Sequence, residues 1–243
     1  MKYYLGAYYF IKLYKADYGS LKDTSIYTCS TCINDFYFDS WSITWSVVNS
    51  SDSLKEAKKE FNLTDTQITD IQTWAERKFD EKKIGWLNTF SDYEVLREYK
   101  NKFFSNVQDY LVLSINFPET EKNDLLEEFK IEEKGIGAIG LWENLNRNAP
   151  EVTDESEVEI GYDLIGIELS GDFHTFYCHD LADELIQKFN IEINQYGLIA
   201  SEDNWEQLVE YMNDEENGFE PVPWFFVKVK MIDERKKHMH NKA

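Results

Sequence analysis

The chemistry open to this chain rests on few residue types: three cysteines, four histidines and a large excess of carboxylates. Cys29-x-x-Cys32 has the spacing of half a zinc site, and the adjacent Cys178 and His179 could supply the other two ligands of a tetrahedron. A strand through Phe173–His179 would turn Cys178 and His179 to opposite faces, so both could bind only if the strand ended there. His174 shares a face with Cys178 and could stand in for His179. Scattered thiols are more often simply buried. The expectation is therefore no metal and no cofactor, with zinc on Cys29, Cys32, Cys178 and His179 as the alternative.

The carboxylates make the sharper pattern. On a helix Glu202–Met212, Trp205, Leu208, Val209 and Met212 fall within an arc of roughly 100°, and Glu202, Asp203, Glu206 and Glu210 within about 120° on the other side. Acids at i, i+4 and i+8 repel by roughly 0.2–0.5 kcal/mol per pair, and no Lys or Arg of the segment stands three or four positions away to relieve them. An ordinary solvated face mixes signs. The pattern points to a docking surface for a basic partner, formed by Glu202, Asp203, Glu206, Glu210, Asp214, Glu215 and Glu216. Tyr196, Tyr211 and Phe219 are the expected exposed aromatic anchors.

Other motifs carry less. Asn213–Gly218 begins like a calcium loop but departs from the EF-hand pattern at the first and third ligand positions, and Trp224 stands where the bidentate Glu should be. Gly135–Gly140 spells GxGxxG, yet a charged helical segment precedes it instead of a strand, so a turn accounts for it better than a nucleotide site. Asp172 with His174, or His179 with Asp180, could serve as acid and base, but adjacency in sequence does not make groups converge. There is no G-x-S-x-G elbow. No catalytic residue is assigned.

The elements that would position these residues follow from periodicity. Tyr3–Tyr14 reads as a strand with Tyr3, Leu5, Ala7, Tyr9, Ile11 and Leu13 on one side, and Phe36–Val48 as another with Trp41, Ile43, Trp45 and Val47 together. Thr64-x-x-Gln67 and Ser91-x-x-Glu94 are capping boxes that open helices. Leu111–Phe117 is a short strand, with helices around Leu125–Phe129 and Leu141–Arg147. Val158–Leu169 and Phe173–Cys178 form a hairpin about Ser170-Gly171-Asp172. Asp180 and Ser201 cap two further helices, Tyr196–Ile199 is a short strand, and Trp224–Met231 is the last strand, followed by a frayed tail from Asp233. The fold class is α+β, with a helix-rich N-terminal half and a mixed, mostly antiparallel sheet with helices in the acidic C-terminal part. Two lobes, residues 1–150 and 151–243, share one core.

Charge is distributed unevenly between those lobes. Glu151–Val227 holds 20 acidic residues against a single basic one, Lys188, in a chain whose formal charge is −21. A content of 42% hydrophobic and 16% aromatic residues excludes a disordered acidic tail, so the charge is displayed on a folded surface. Few, scattered cysteines favour a reducing compartment. No run approaches the roughly 18 apolar residues of a membrane span, and the aromatic N-terminus lacks a small-x-small cleavage site. The acidity disfavours anionic membranes and bare nucleic acid. A cytoplasmic protein is expected.

Several stretches over residues 158–231 carry a resemblance. Gly161-Tyr162-Asp163, Phe173-His174, Cys178-His179-Asp180-Leu181, Asn194-Gln195-Tyr196-Gly197-Leu198 and Pro221-Val222-Pro223-Trp224 look like small acidic immunity proteins of bacterial toxin systems. The resemblance implies an intracellular, non-catalytic protein that neutralises a basic toxin or nuclease by covering its active site. A nucleic-acid mimic that blocks a DNA-binding protein and a zinc-dependent enzyme or zinc-stabilised protein are the alternative functions.

Overall fold

The structure, a computed structural model, describes residues 1–30, 32–36, 55, 58–59, 62–85, 89–129, 139–168, 173–178 and 182–240. Its strands are β1 (Tyr3–Lys12), β2 (Lys15–Tyr18), β3 (Leu21–Ser25), β4 (Asp35–Phe36), β5 (Leu111–Pro118), β6 (Glu157–Ile167), β7 (Phe173–Thr175) and β8 (Trp224–Ile232). Six of them form one antiparallel sheet in the order β4-β1-β5-β8-β6-β7, and β2 and β3 make a separate hairpin. The last strand, β8, lies between β5 and β6, so strands from residues 1–150 and 151–243 belong to a single sheet. The fold mixes helices with this antiparallel sheet and is α+β.

The first half is not helix-rich as expected: among the described residues β1 to β4 come first, and the first helix whose full extent is described, α1 (Asp65–Asp80), starts at residue 65. The expected strand Phe36–Val48 and the GxGxxG stretch fall almost wholly outside the described residues.

β1 also departs from simple alternation. Leu5 pairs with Asn116 but Ala7 with Ile115, so Gly6 sits in a bulge that flips the face of everything after it. Tyr3, Leu5, Tyr8 and Phe10 therefore point to one side of the sheet and Tyr4, Ala7, Tyr9 and Ile11 to the other. Gly6 permits this because a Cβ there would lie 2.8 Å from the Phe117 ring.

Helices cover both faces. α1 and α2 (Tyr93–Phe103) pack over β1, with Ile68, Ile71, Trp74, Leu96 and Tyr99 buried. α5 (Ala182–Phe189) and α6 (Trp205–Met212) cover the β6–β8 half of that same face. α3 (Glu119–Glu128) and α4 (Ile139–Asn146) bury Leu125, Leu141 and Leu145 against the opposite face. The Thr64–Gln67 capping box forms as expected. α2 is capped one residue later than its box suggested, by the Asp92 carboxylate accepting from Glu94 N at 2.7 Å, because Ser91 N is already bonded to Lys83 O.

The tail beyond Asp233 is held down as a helix, α7 (Glu234–His240). The Glu234 carboxylate accepts Lys100 Nζ at 2.6 Å, the Tyr93 hydroxyl at 3.1 Å and the Tyr110 hydroxyl, and Lys237 Nζ lies 2.5 Å from the buried Glu157. Burial pushes the Glu234 pKa up, but the bonds from Lys100 and Tyr110 outweigh it and hold the carboxyl below its ordinary value. Its stabilising contribution is thus present above the ordinary carboxylate pKa and fades as pH falls through the depressed one. Glu234→Ala is expected to cost about 2 kcal/mol at neutral pH in urea denaturation. An unchanged midpoint would mean that α7 is not anchored this way.

Candidate functional site

The acidic ridge is organised by what its neighbours bury. Asn204 adopts a left-handed backbone (φ 59°), so α6 starts at Trp205 and not at Glu202 as periodicity suggested. Trp205, Leu208 and Met212 go into the core, which leaves Glu206 and Glu210 exposed. Asp214 then accepts from Glu216 N at 3.0 Å and opens a 3-10 turn over Glu215–Asn217. Asn213 is used internally, its amide bonded to both the N–H and the carbonyl of Trp224 at 2.9 and 3.0 Å, which fastens the segment to the start of β8. Asp203 accepts from Ser201 and Glu202 from the Tyr3 hydroxyl at 2.6 Å, which ties the start of the ridge to β1.

The acids at the start of the acidic third are neutralised. Lys228 and Lys230 on β8 reach Glu151 at 3.2 and 2.6 Å, Lys228 reaches Glu159 at 3.3 Å, and Lys237 covers Glu157. Among the described residues no cation forms an ion pair with Glu206, Glu210, Asp214, Glu215 or Glu216. The first half adds to the charge: α3 exposes Asp124 and Glu128, and both Asp124 and Glu206 raise the pKa of the buried Glu121. A groove of about 380 Å³ runs beside the ridge, lined by Phe219, Pro221, Val222 and Pro223 together with Glu128, Glu215 and Glu220.

The expected anchors are not grouped as sequence suggested. Phe219 is buried, packed edge-on against Tyr211 and Trp224, so it supports the ridge and is no exposed anchor. Tyr211 is half-buried, with Lys188 Nζ 3.8 Å from its ring. Tyr196 packs edge-on against Tyr27 at 5.0 Å and belongs to the cluster on the other face of the sheet.

A second constellation lies at the β7 end of the sheet. Cys29 and Cys32 do not act together: Cys29 is buried in the core, where burial pushes its thiol up, whereas Cys32 is exposed. β7 ends at Thr175 and a 3-10 turn, Phe176–Cys178, folds the Cys178 sulfur back until it accepts from Thr175 N at 3.3 Å. Cys32 Sγ then lies 3.5 Å from His174 Nδ1, and the ligand atoms of Cys32, His174 and Cys178 all lie within 4.8 Å of one another. The other ring nitrogen of His174, Nε2, meets Glu168 Oε1 at 2.9 Å. His179, together with Asp172 and Asp180 of the acid–base pairs considered above, lies outside the described residues.

The loop that carries Cys32 is fixed by buried polar contacts. Ser30 Oγ donates to Phe173 O at 2.9 Å and accepts from Cys32 N at 3.1 Å. The fully buried Asp163 accepts the hydroxyls of Thr28 and, at 2.8 Å, of Thr175. Desolvation raises its pKa to about 6 against those bonds. Hydrogen bonds from Cys178 and His174 hold the Cys32 thiol well below the ordinary value, while the bond to Cys32 and then burial push the Cys178 thiol up. The bond to Cys32 and then that to Glu168 raise His174 to about 9, with burial opposing them.

Sequence reasoning named His174 as a substitute ligand but missed Glu168. The hairpin register held the signal: Ile167 pairs with Phe173 and Gly166 with His174, which brings Glu168 to the same end of the hairpin. Comparison of the chain with protein-family models, curated proteins and solved structures finds no match.

Proposed function

We propose that this is a non-catalytic binding protein that captures a basic partner on the α6 ridge, in the manner of an immunity protein covering the active site of a toxin or nuclease inside the cell. One observation carries the reading: the carboxylates from Glu206 to Glu216 are left without counter-charge, while lysines from β8 and α7 neutralise Glu151, Glu157 and Glu159. Like charges lined up on one helix face cost stability unless a cation covers them, and a partner supplies it. The groove beside the ridge is lined by apolar side chains and by Glu128, Glu215 and Glu220, a mixture that suits the aliphatic stem and cationic head of a Lys or Arg side chain. No helix among the described residues is long and apolar enough to cross a membrane, which accords with a partner met in solution.

Electrostatic complementarity acts mainly on the association rate and is screened within about 10 Å at 0.1 M salt. Partner captured from the native host on immobilised protein is expected to elute with salt. Glu206→Lys/Glu210→Lys should lower its association rate by at least about tenfold. The same charge change on α1, at the exposed Asp70 and Glu76, is the control and should leave capture intact. Equal capture by the two double variants would overturn the proposal. Elution by a short DNA duplex would mark the partner as a DNA-binding protein and the ridge as a nucleic-acid mimic.

A further inference from the structure

We propose that Cys32, His174 and Cys178 form a zinc site that fastens the loop before β4 to the end of β7. Zinc bonded to sulfur at about 2.3 Å and to nitrogen at about 2.0–2.1 Å, at tetrahedral angles, sets an S···N edge of about 3.6 Å and an S···S edge of about 3.8 Å. Cys32 Sγ and His174 Nδ1 are 3.5 Å apart, and no pair in the cluster is separated by more than 4.8 Å. Closing the tetrahedron therefore takes about 1 Å of side-chain movement. A water molecule takes the fourth vertex.

Two features beyond proximity point to a metal. Glu168 Oε1 lies 2.9 Å from His174 Nε2, which orients the ring with Nδ1 toward the two sulfurs. A carboxylate bonded to the far nitrogen is the usual support of a metal-ligating imidazole, fixing its tautomer and increasing its basicity. Thr175 N also points at Cys178 Sγ from 3.3 Å. A backbone N–H aimed at sulfur favours a thiolate, the form a metal needs. Two thiolates and an imidazole are a soft set that selects zinc over magnesium or calcium. Cys29, buried in the core, takes no part. The metal would join parts of the chain far apart in sequence, next to the buried bonds that Ser30 and Thr28 already make to this end of the sheet.

The test uses the full chain, reduced with a phosphine, freed of metal with EDTA and titrated with Zn²⁺ against a chromophoric chelator. One equivalent should bind. Co²⁺ in its place should give a sulfur-to-cobalt charge-transfer band and the visible bands of tetrahedral cobalt. The charge-transfer band should weaken in Cys32→Ser and in Cys178→Ser and persist in Cys29→Ala. Glu168→Gln, which leaves the ligands in place, should weaken zinc binding about 10–100-fold. Zn²⁺ should also protect Cys32 from iodoacetamide in the unaltered chain. Less than a tenth of an equivalent bound, with Cys32 alkylated equally fast with and without Zn²⁺, would overturn the proposal.

Discussion

Phe226→Ala is expected to lower the unfolding free energy by about 3–5 kcal/mol. Phe226 is fully buried in the middle of β8, and its ring lies between two others. It stacks on Tyr162 of β6 at 5.1 Å and on Trp205 of α6 at 5.7 Å, at interplanar angles of 13° and 24°. Removing it leaves a cavity walled by large rings that sheet and helix hold apart, so the site cannot collapse to fill it. Because Trp205 is the residue from which the acidic ridge is hung, the ridge should loosen along with the core. Urea denaturation measures the first effect, and hydrogen exchange of the α6 amides the second. A loss under about 1.5 kcal/mol would mean that the stack is not closely packed.

Glu121→Gln should stabilise the protein by about 3 kcal/mol at pH 8 and have little effect near pH 4. β8 pairs with β5 only from Lys228 to Met231, so the backbone of Phe226 has no partner strand on that side. Its N–H is bonded at 2.7 Å by the Glu121 carboxylate, reaching in from the first turn of α3. Burial, followed by the nearby charges of Asp124 and Glu206, raises the Glu121 pKa from 4.5 to about 7 despite that bond. The native state therefore binds the proton more tightly than the unfolded chain. The resulting stability is fully present below about pH 4.5 and is lost as pH rises through about 7. A rise from 4.5 to about 7 corresponds to about 3 kcal/mol. Gln keeps an acceptor for Phe226 N and has no charge to desolvate. Stability measured from pH 4 to 8 should then fall less in the variant than in the unaltered protein. Parallel profiles for the two proteins would show that Glu121 is not titrating in a buried site.

Much of the secondary structure could be read from local chemistry. Thr64 and Gln67 cap α1 because both sides of a capping box lie within one turn, where no tertiary contact is needed. β5 and β8 fall close to where continuous apolar runs place them. The outward set of acids on α6 follows from a period that Trp205, Leu208 and Met212 impose. The errors come where a backbone conformation or a distant partner intervenes. The bulge at Gly6 and the left-handed Asn204 each undo a periodicity that looked regular. The α7 tail, polar and mixed in charge, reads as frayed until Lys100, Tyr93 and Tyr110 are known to meet Glu234.

By itself the sequence determined the net charge, its concentration in the last third and the amphipathic face that displays part of it, because these depend on composition and on helical spacing alone. Only the tertiary structure decided which carboxylates stay without a counter-ion, since Lys228, Lys230 and Lys237 choose their partners through strand order and the docking of α7. It also decided which cysteine joins His174. Cys29 and Cys32 are equivalent in spacing, but the path of the loop buries one sulfur in the core and carries the other to the turn where β7 stops.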